Sequence, residues 1–266
     1  MTTTPALAPP LRTESTPGAA AWRVLEWDTH EFGILAARLE TLEAPGSYAE
    51  ARARKAELVS TVLHECRDSG VRHLSARVDS GDFSSIHALE DAGFELIDGI
   101  QTFRLSLRDN YFAAPADTRL FEHADLPEVL EIGRTAFIFD RFHADPALPT
   151  QVADRVNESW TRNCCLGTAA DAVIIAEERS RVASFVTCRA GCDEDPGTII
   201  LVATAGWARG RGAARRASTA ALRWFANQGL TSVEVGTQLR NIPAARLYES
   251  LGFRMVRTSF TLRKIL

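Results

Sequence analysis

Two stretches of this chain, DFSSIHALEDAGF at 82–94 and NIPAARLYESLGF at 241–253, follow one plan: a capping residue, a short helix and a closing Gly-Phe. They lie 159 residues apart, and the same offset relates Gly70 to Gly229, which precede the short alternating segments VRHLSARV and LTSVEVGT. Downstream, ELIDGIQTFRLSL aligns with RMVRTSFTLRKIL, and no gap is needed from about Lys55 to Arg104. Each copy reads as helix, strand, helix, strand. Asp82 and Asn241 are N-cap residues, whose side-chain oxygen takes a free N–H of the first turn. Pro243 stands where a missing N–H does no harm, and Gly93 and Gly252 suit the left-handed residue that closes a helix. Ungapped register over some fifty residues favours duplication over a chance likeness of two helix–strand units.

The second copy has more in front of it. TRLFEH, DAVIIAEE, RVASFVTCRA and TIILVATA have the β-branched content and turn-rich flanks of strands, with helical patterns at 125–137 and 149–162. RDNYFAAPADT at 108–118 reads as a linker. These features predict a disordered leader over 1–21, rich in Thr, Pro and Ala, a truncated domain over 22–112 and a fuller domain over 113–266. Trp27, Phe32 and Gly33 read as interdomain packing. The leader lacks the basic start and apolar core of a signal peptide, and no apolar run approaches a membrane span, so a soluble, cytoplasmic protein is expected. Five cysteines, an odd number without ligand spacing, argue against a disulfide framework or a metal site.

A net charge of −4 argues against the basic domain of a nucleic-acid binder. Against that background GWARGRGAARRAS, 206–218, holds four arginines and three glycines, and no Asp or Glu lies between Asp195 and Glu234. An apolar strand, TIILVATAG, feeds this turn, and a helix ending at Gly229 leaves it. The unpaired N–H groups of a first helical turn bind anions. Gly210 and Gly212 let a ligand approach the backbone with no Cβ in the way, and Arg209, Arg211, Arg215 and Arg216 add charge. Basic runs are commonly just solvated surface; one set directly after a buried strand points to a pyrophosphate. It is not a P-loop, because Ala213 and Ala214 stand where Lys and Ser/Thr are required. It also lacks the third glycine, and the early position, of a dinucleotide-binding fingerprint.

LVATAGWARGRGAARRAS followed by NIPAARLYESLGF resembles the GNAT superfamily of acyl-CoA N-acyltransferases. The family's acetyl-CoA motif, Gln/Arg-x-x-Gly-x-Gly/Ala, lies on Arg209, Gly212 and Ala214. Its later pattern lies on Asn241, Ala244, Leu247, Tyr248, Gly252 and Phe253. LEWDTHEFGILAARLE and DRFHADPALP resemble, more loosely, a bacterial subgroup typified by dTDP-fucosamine N-acetyltransferase, in which a truncated front domain precedes a full one.

The resemblance implies an α/β fold with a mixed, mostly antiparallel twisted sheet flanked by helices. It implies acetyl-CoA as acyl donor and a small-molecule amine as acceptor, most simply a nucleotide sugar; another amine (an antibiotic, a polyamine or a protein), a non-catalytic acyl-CoA-binding role and a homodimer are left open. A bulge at the strand end, Leu201, Val202 and Ala203, would present backbone groups to the thioester. Gly210, Arg211, Gly212, Ala213 and Ala214, with Arg209 and Asn241, would hold the cofactor, and Tyr248 would protonate the departing thiolate; a core aromatic is the plain alternative for it. The loop FIFDRFHADPALP would line the acceptor pocket through Phe139, Asp140, Arg141, Phe142 and His143. His143 titrates near neutral pH and is the candidate base, although a partly buried loop histidine is the commoner fate. Arg209, Gly212 and Tyr248 correspond by the offset to Glu50, Ala53 and Leu89. One active site, in the back half, is therefore expected.

Overall fold

The computed structural model describes residues 18–108, 112, 113, 115–191 and 195–266, together with the backbone of 11–14. It reproduces the 159-residue offset element by element. Helices α2 (Tyr48–Asp68) and α7 (Ala213–Asn227) end at equivalent residues. Strands β4 (His73–Asp79) and β10 (Ser232–Gln238), helices α3 (Phe83–Asp91) and α8 (Ile242–Ser250), and strands β5 (Glu95–Ser106) and β11 (Arg254–Ile265) match end to end. Even the caps coincide. Asp82 (φ −87°, ψ 72°) accepts from the Ser85 N–H, and Asn241 (φ −86°, ψ 66°) accepts from the Ala244 N–H.

Packing divides the chain into two units, Met1–Gly99 with Thr258–Leu266, and Ile100–Arg257. In the first, β1 (Leu11–Glu14) pairs with β2 (Ala19–Val24), which pairs with β3 (Ala36–Glu43), both antiparallel. β3 runs parallel to β4, and β4 pairs antiparallel with residues 259–265 of β11. Helix α1 (Glu26–Phe32) precedes β3. The core sets Trp22, Leu39, Leu74 and Leu262 against Leu58, Val59 and Val62 of α2.

One expectation changes here. Residues 1–10 and 15–17 of the expected leader lie outside the described residues, but 11–14 and 19–24 are paired strands, because Ala20, Ala21 and Trp22 supply buried β surface. Phe32 packs edge-on against His73 of its own unit, at 5.2 Å between rings. Gly33 is the left-handed residue closing α1 (φ 70°).

The second unit orders its strands as residues 100–106 of β5, then β10, β9 (Gly197–Thr204), β8 (Arg181–Arg189), β7 (Ala172–Glu178) and β6 (Thr118–Leu120). All pairings are antiparallel except β9 with β10, which α7 connects. Side chains alternate between faces, as a pleated strand requires. Ile174, Ala176, Val186 and Cys188 join Ala217, Ala221 and Phe225 of α7 and Tyr248 of α8. Val173, Ile175, Ala183 and Phe185 join Val129 and Ile132 of α4 (Leu126–Ala136) and Cys164 of α6 (Thr150–Cys165).

Each unit thus completes its sheet with the other repeat's last strand. His73 pairs with Ile265, and the equivalent Ser232 pairs with Ser106, so the exchange keeps one register. Phe103 and Leu105, from the first repeat, are buried in the second unit's core.

Candidate functional site

The site is built on a fault in β9. Thr187 of β8 faces Leu201, but the next pair is Cys188 with Ile199, so Ile200 is an extra residue. A bulge of this kind breaks the alternation of faces. Ile199 and Val202 accordingly contribute to the α7/α8 side, whereas Ile200, Leu201 and Ala203 contribute to the α4/α6 side. The bulge was expected at 201–203 and sits one residue earlier.

Parallel pairing of β9 with β10 stops at Ile199 and Val235, although β9 runs on to Thr204 and β10 to Gln238. The two strands part there. The Leu201 N–H donates to Thr187 Oγ1 (3.0 Å), Ser184 Oγ donates to the Ala203 carbonyl (2.6 Å), and the Ala205 N–H donates to the Ala183 carbonyl (2.9 Å). Residues 201, 203 and 205 therefore turn their backbone groups toward β8. Successive residues of a strand address opposite edges, so Val202 and Thr204 present theirs to the parted side. Of the three residues expected to contact the thioester, Val202 is the one so aimed.

β9 leads through the turn into α7. Gly210 (φ 75°) and Gly212 (φ 77°) are both left-handed, a conformation costly for residues with a Cβ. A Cβ at Gly210 would meet no atom within 4 Å, and one at Gly212 only Arg216 Nη1 at 3.8 Å. The glycines therefore serve the turn's path, with open space above it. Gly212 is the N-cap of α7 and offers no side chain, so the first-turn N–H groups of Ala213, Ala214 and Arg215 have no side-chain cap. Three of the four arginines are tethered: Arg211 to Glu178 (2.9 Å), Arg215 to Ser250 Oγ (2.7 Å) and Arg216 to Asp117 (2.5 Å). Arg209, exposed, has no partner among the described residues.

Tyr248 of α8 lies between Phe103 and Phe253, at 5.8 and 5.9 Å between ring centroids, in the apolar cluster that also takes in Val202. Only 4 % of it is exposed, and burial pushes its phenol well above the usual value. It stays a protonated donor throughout the neutral range. The equivalent Leu89 is likewise fully buried, so the position is a core position in both repeats and the hydroxyl is what distinguishes this one.

The loop expected to line the acceptor pocket is organised by Asp140. Asp140 caps a short helix, α5 (Arg141–Ala144), by accepting from the Phe142 and His143 N–H groups. His143 Nδ1 lies 2.7 Å from Asp140 Oδ2 and its Nε2 lies 3.1 Å from Asp154 Oδ1, while Asn157 Nδ2 donates to Asp140 Oδ2 (2.9 Å). Burial alone would lower the imidazole's pKa, but the hydrogen bonds and charges of Asp140 and then Asp154 raise it above the ordinary value. Both imidazole nitrogens are engaged with carboxylates, which leaves neither free to meet an amine in this arrangement. His143, expected as a candidate base, sits between Asp140 and Asp154 and braces the loop. A raised folded-state pKa gives stability that is complete below the unfolded value and lost as pH rises through the folded one. His143→Gln is accordingly expected to lower the melting temperature more at pH 6 than at pH 9, by calorimetry at both pH values.

The remaining loop residues divide. Phe142 is buried with the Arg141 guanidinium 4.3 Å from its ring centroid, so both are engaged in packing. Arg240, which no motif signalled, donates to the carbonyls of Phe139 (3.1 Å) and Asp140 (3.2 Å) and ties this loop to the β10–α8 turn. Asn241, expected at the cofactor, spends its amide on capping: Oδ1 accepts from the Ala244 N–H and Nδ2 donates to Thr237 Oγ1 (3.0 Å).

In the first repeat the corresponding place is closed. α2 starts six residues before the equivalent of α7's first residue, so 48–53, which match the arginine–glycine turn, are already helix. Its N-terminus is sealed by a capping box of Ser47 and Glu50. Lys55, at the place of Ala214, is buried and ion-paired to Asp82 (2.8 Å).

With this geometry in view, residues 134–253 match the Acetyltransferase (GNAT) family. They form a GNAT acetyltransferase domain. The chain is 31% identical over 133 residues to the spore coat polysaccharide biosynthesis protein SpsD of Bacillus subtilis, covering 50% of this chain and 45% of that protein. It is 24% identical over 190 residues to dTDP-fucosamine acetyltransferase of Escherichia coli, covering 71% of this chain and 80% of that one. The chain thus spans less than half of the first relative and four-fifths of the second. Among solved structures, a tandem GNAT protein from the clavulanic acid biosynthesis pathway covers 97% of this chain and 85% of its own, with a TM-score of 0.62 and 15% identity, a likeness of fold. No helix among the described residues is long and apolar enough to cross a membrane.

Proposed function

We propose that the second unit transfers the acetyl group of acetyl-CoA to the amino group of a small acceptor, a nucleotide-linked amino sugar. The observation that carries this reading is one juxtaposition. The uncapped N-terminus of α7, with Arg209 (without a partner among the described residues) in the turn before it, directly follows a strand whose Val202 edge has parted from β10. A pyrophosphate fits the first feature, and an extended amide-bearing arm with a thioester fits the second. The relative that acts on dTDP-fucosamine supports the acceptor class, as does a loop braced through Arg240 and His143 beside this domain's β10–α8 turn.

In this reading the first-turn amides of α7 and Arg209 hold the pyrophosphate. The Val202 N–H donates to the thioester carbonyl, where negative charge grows as the amine attacks, and a fixed donor of that kind lowers the barrier most. Tyr248 donates to the sulfur that departs. With both His143 nitrogens engaged by Asp140 and Asp154, the amine's own neutral fraction attacks, and its proton leaves to solvent. Titration of the protein with acetyl-CoA in a calorimeter tests the proposal. Micromolar affinity is expected, and no heat of binding to the native protein would overturn it. Tyr248→Phe is expected to lower turnover about 100-fold, the lower range for a positioned acid, while leaving acetyl-CoA affinity within about twofold, as steady-state kinetics and titration would read. Because burial holds the phenol above its usual value, Tyr248 contributes no alkaline limb to the rate below pH ~10.

A further inference from the structure

We propose that Thr187 and Ser184 of β8 are positioning residues for acyl transfer, holding the bulged stretch of β9 so that the Val202 N–H faces the thioester carbonyl. The inference rests on the acetyl-CoA reading above and adds residues that carry no motif.

Both side chains are fully buried, in a strand whose neighbouring residues Ala183, Phe185, Val186 and Cys188 are apolar and equally buried. A hydroxyl in such surroundings is unfavourable unless it is hydrogen-bonded, and each of these spends its polar atom on β9. Thr187 Oγ1 accepts from the Leu201 N–H at 3.0 Å and is hydrogen-bonded to the Cys164 thiol of α6. Ser184 Oγ donates to the Ala203 carbonyl at 2.6 Å and lies 3.1 Å from Thr204 Oγ1. A regular antiparallel ladder would satisfy these backbone groups with main-chain partners. Here the extra Ile200 displaces the register next to the Leu201–Thr187 pair, and a side chain takes the Leu201 N–H.

The two hydroxyls flank one residue. They grip Leu201 and Ala203, the neighbours of Val202, and being three apart along β8 they do so from opposite faces of the sheet. Val202 itself faces Val186, which has nothing polar to offer from its side chain. The grip therefore sets the backbone rotation at 201 and 203 and, through the planar peptides between, the direction of the Val202 N–H. Without it, the bulge can slide along β9, and a one-residue slip turns every group on that stretch to the other side. α6 links the same device to the acceptor loop, since it bears Cys164 against Thr187 and Asp154 and Asn157 against the His143 brace.

The test requires no acceptor. Acetyl-CoA labelled with carbon-13 at the thioester carbonyl reports the hydrogen bond to that oxygen as a lowered stretching frequency in isotope-edited infrared spectra. Native protein, Thr187→Val, Thr187→Ser and Ser184→Ala would be compared, with calorimetry supplying each affinity and a melting curve confirming each fold. We expect the native protein to lower the frequency and Thr187→Val to return it to the solution value while binding acetyl-CoA within about threefold of native. Thr187→Ser, which keeps the acceptor oxygen, should retain the native frequency, and Ser184→Ala should broaden or partly reverse the shift. Native-like frequencies in both Thr187→Val and Ser184→Ala would overturn the proposal while leaving the acetyl-CoA reading intact. The same holds if native protein binds acetyl-CoA without any shift. Failure of the native protein to bind acetyl-CoA would remove both. If Thr187→Val does not fold, Ser184→Ala and Thr187→Ser decide the matter: a native frequency in the first overturns the proposal.

Discussion

Gly212→Asp is expected to abolish acetyl-CoA binding, weakening it by two to three orders of magnitude, whereas Gly212→Ala weakens it about tenfold. Gly212 caps α7 at φ 77°. A residue with a Cβ is strained there by about 1–2 kcal/mol; the unliganded turn relaxes away from that conformation and binding must restore it, which accounts for the alanine effect, since nothing nearby clashes with the added methyl. Aspartate adds a carboxylate at the one place where the helix end favours a bound anion. Two unit charges about 4 Å apart near a protein surface repel by about 4 kcal/mol. It would also cap the free N–H groups itself, as aspartate does at other helix starts, so the protein should melt at or near the native temperature. Calorimetric titration and a melting curve separate these effects. Native affinity in Gly212→Asp would show that the phosphates are held elsewhere.

A chain that begins at residue 113, where the repeat and the linker would put the domain boundary, is expected not to fold. Such a chain lacks residues 100–106 of β5, which pair along the whole of β10. It also loses Phe103, Leu105 and Leu107, all buried in the second unit's core. Burial of three such side chains is worth about 5–9 kcal/mol, comparable with the ~5–15 kcal/mol that separates a whole domain from its unfolded state. Phe103 also walls Tyr248, so any residual structure lacks one side of the candidate site. Circular dichroism on heating should show no cooperative transition for this chain, and a cooperative one once residues 100–112 are restored. Cooperative melting of the shorter chain would mean that β10 finds another partner.

Much of the second unit could be read from residue types alone. The strands expected around 118–123, 171–178, 181–190 and 198–205 are β6 to β9 within a few residues, and the helices expected at 125–137 and 149–162 are α4 and α6. Gly210 and Gly212 read in the sequence as room for a ligand, and the structure adds that both are left-handed. Less of the site was legible. Arg211, Arg215 and Arg216 look like ligands for an anion in the sequence, yet Glu178, Ser250 and Asp117 claim them, and these partners lie 33, 35 and 99 positions away in the chain. His143 looks like a base until Asp154 reaches its second nitrogen from α6. Thr187 and Ser184 give no signal, since a hydroxyl in an apolar strand is unremarkable until the strand opposite is bulged.

Local interactions determine the repeat, its caps and its turns, because a helix start or a glycine turn is decided by hydrogen bonds and steric limits within a few residues. Asp82 and Asn241 adopt the same backbone angles for that reason. The choice of partner for each last strand is another matter. Ser106 and Ile265 occupy equivalent places and meet equivalent residues of β10 and β4, so register alone does not distinguish pairing within a repeat from exchange between repeats. That choice rests on the free energy of completed sheets and cores, with Phe103 and Leu105 buried beneath one and Leu262 beneath the other. Only the assembled tertiary structure decides it.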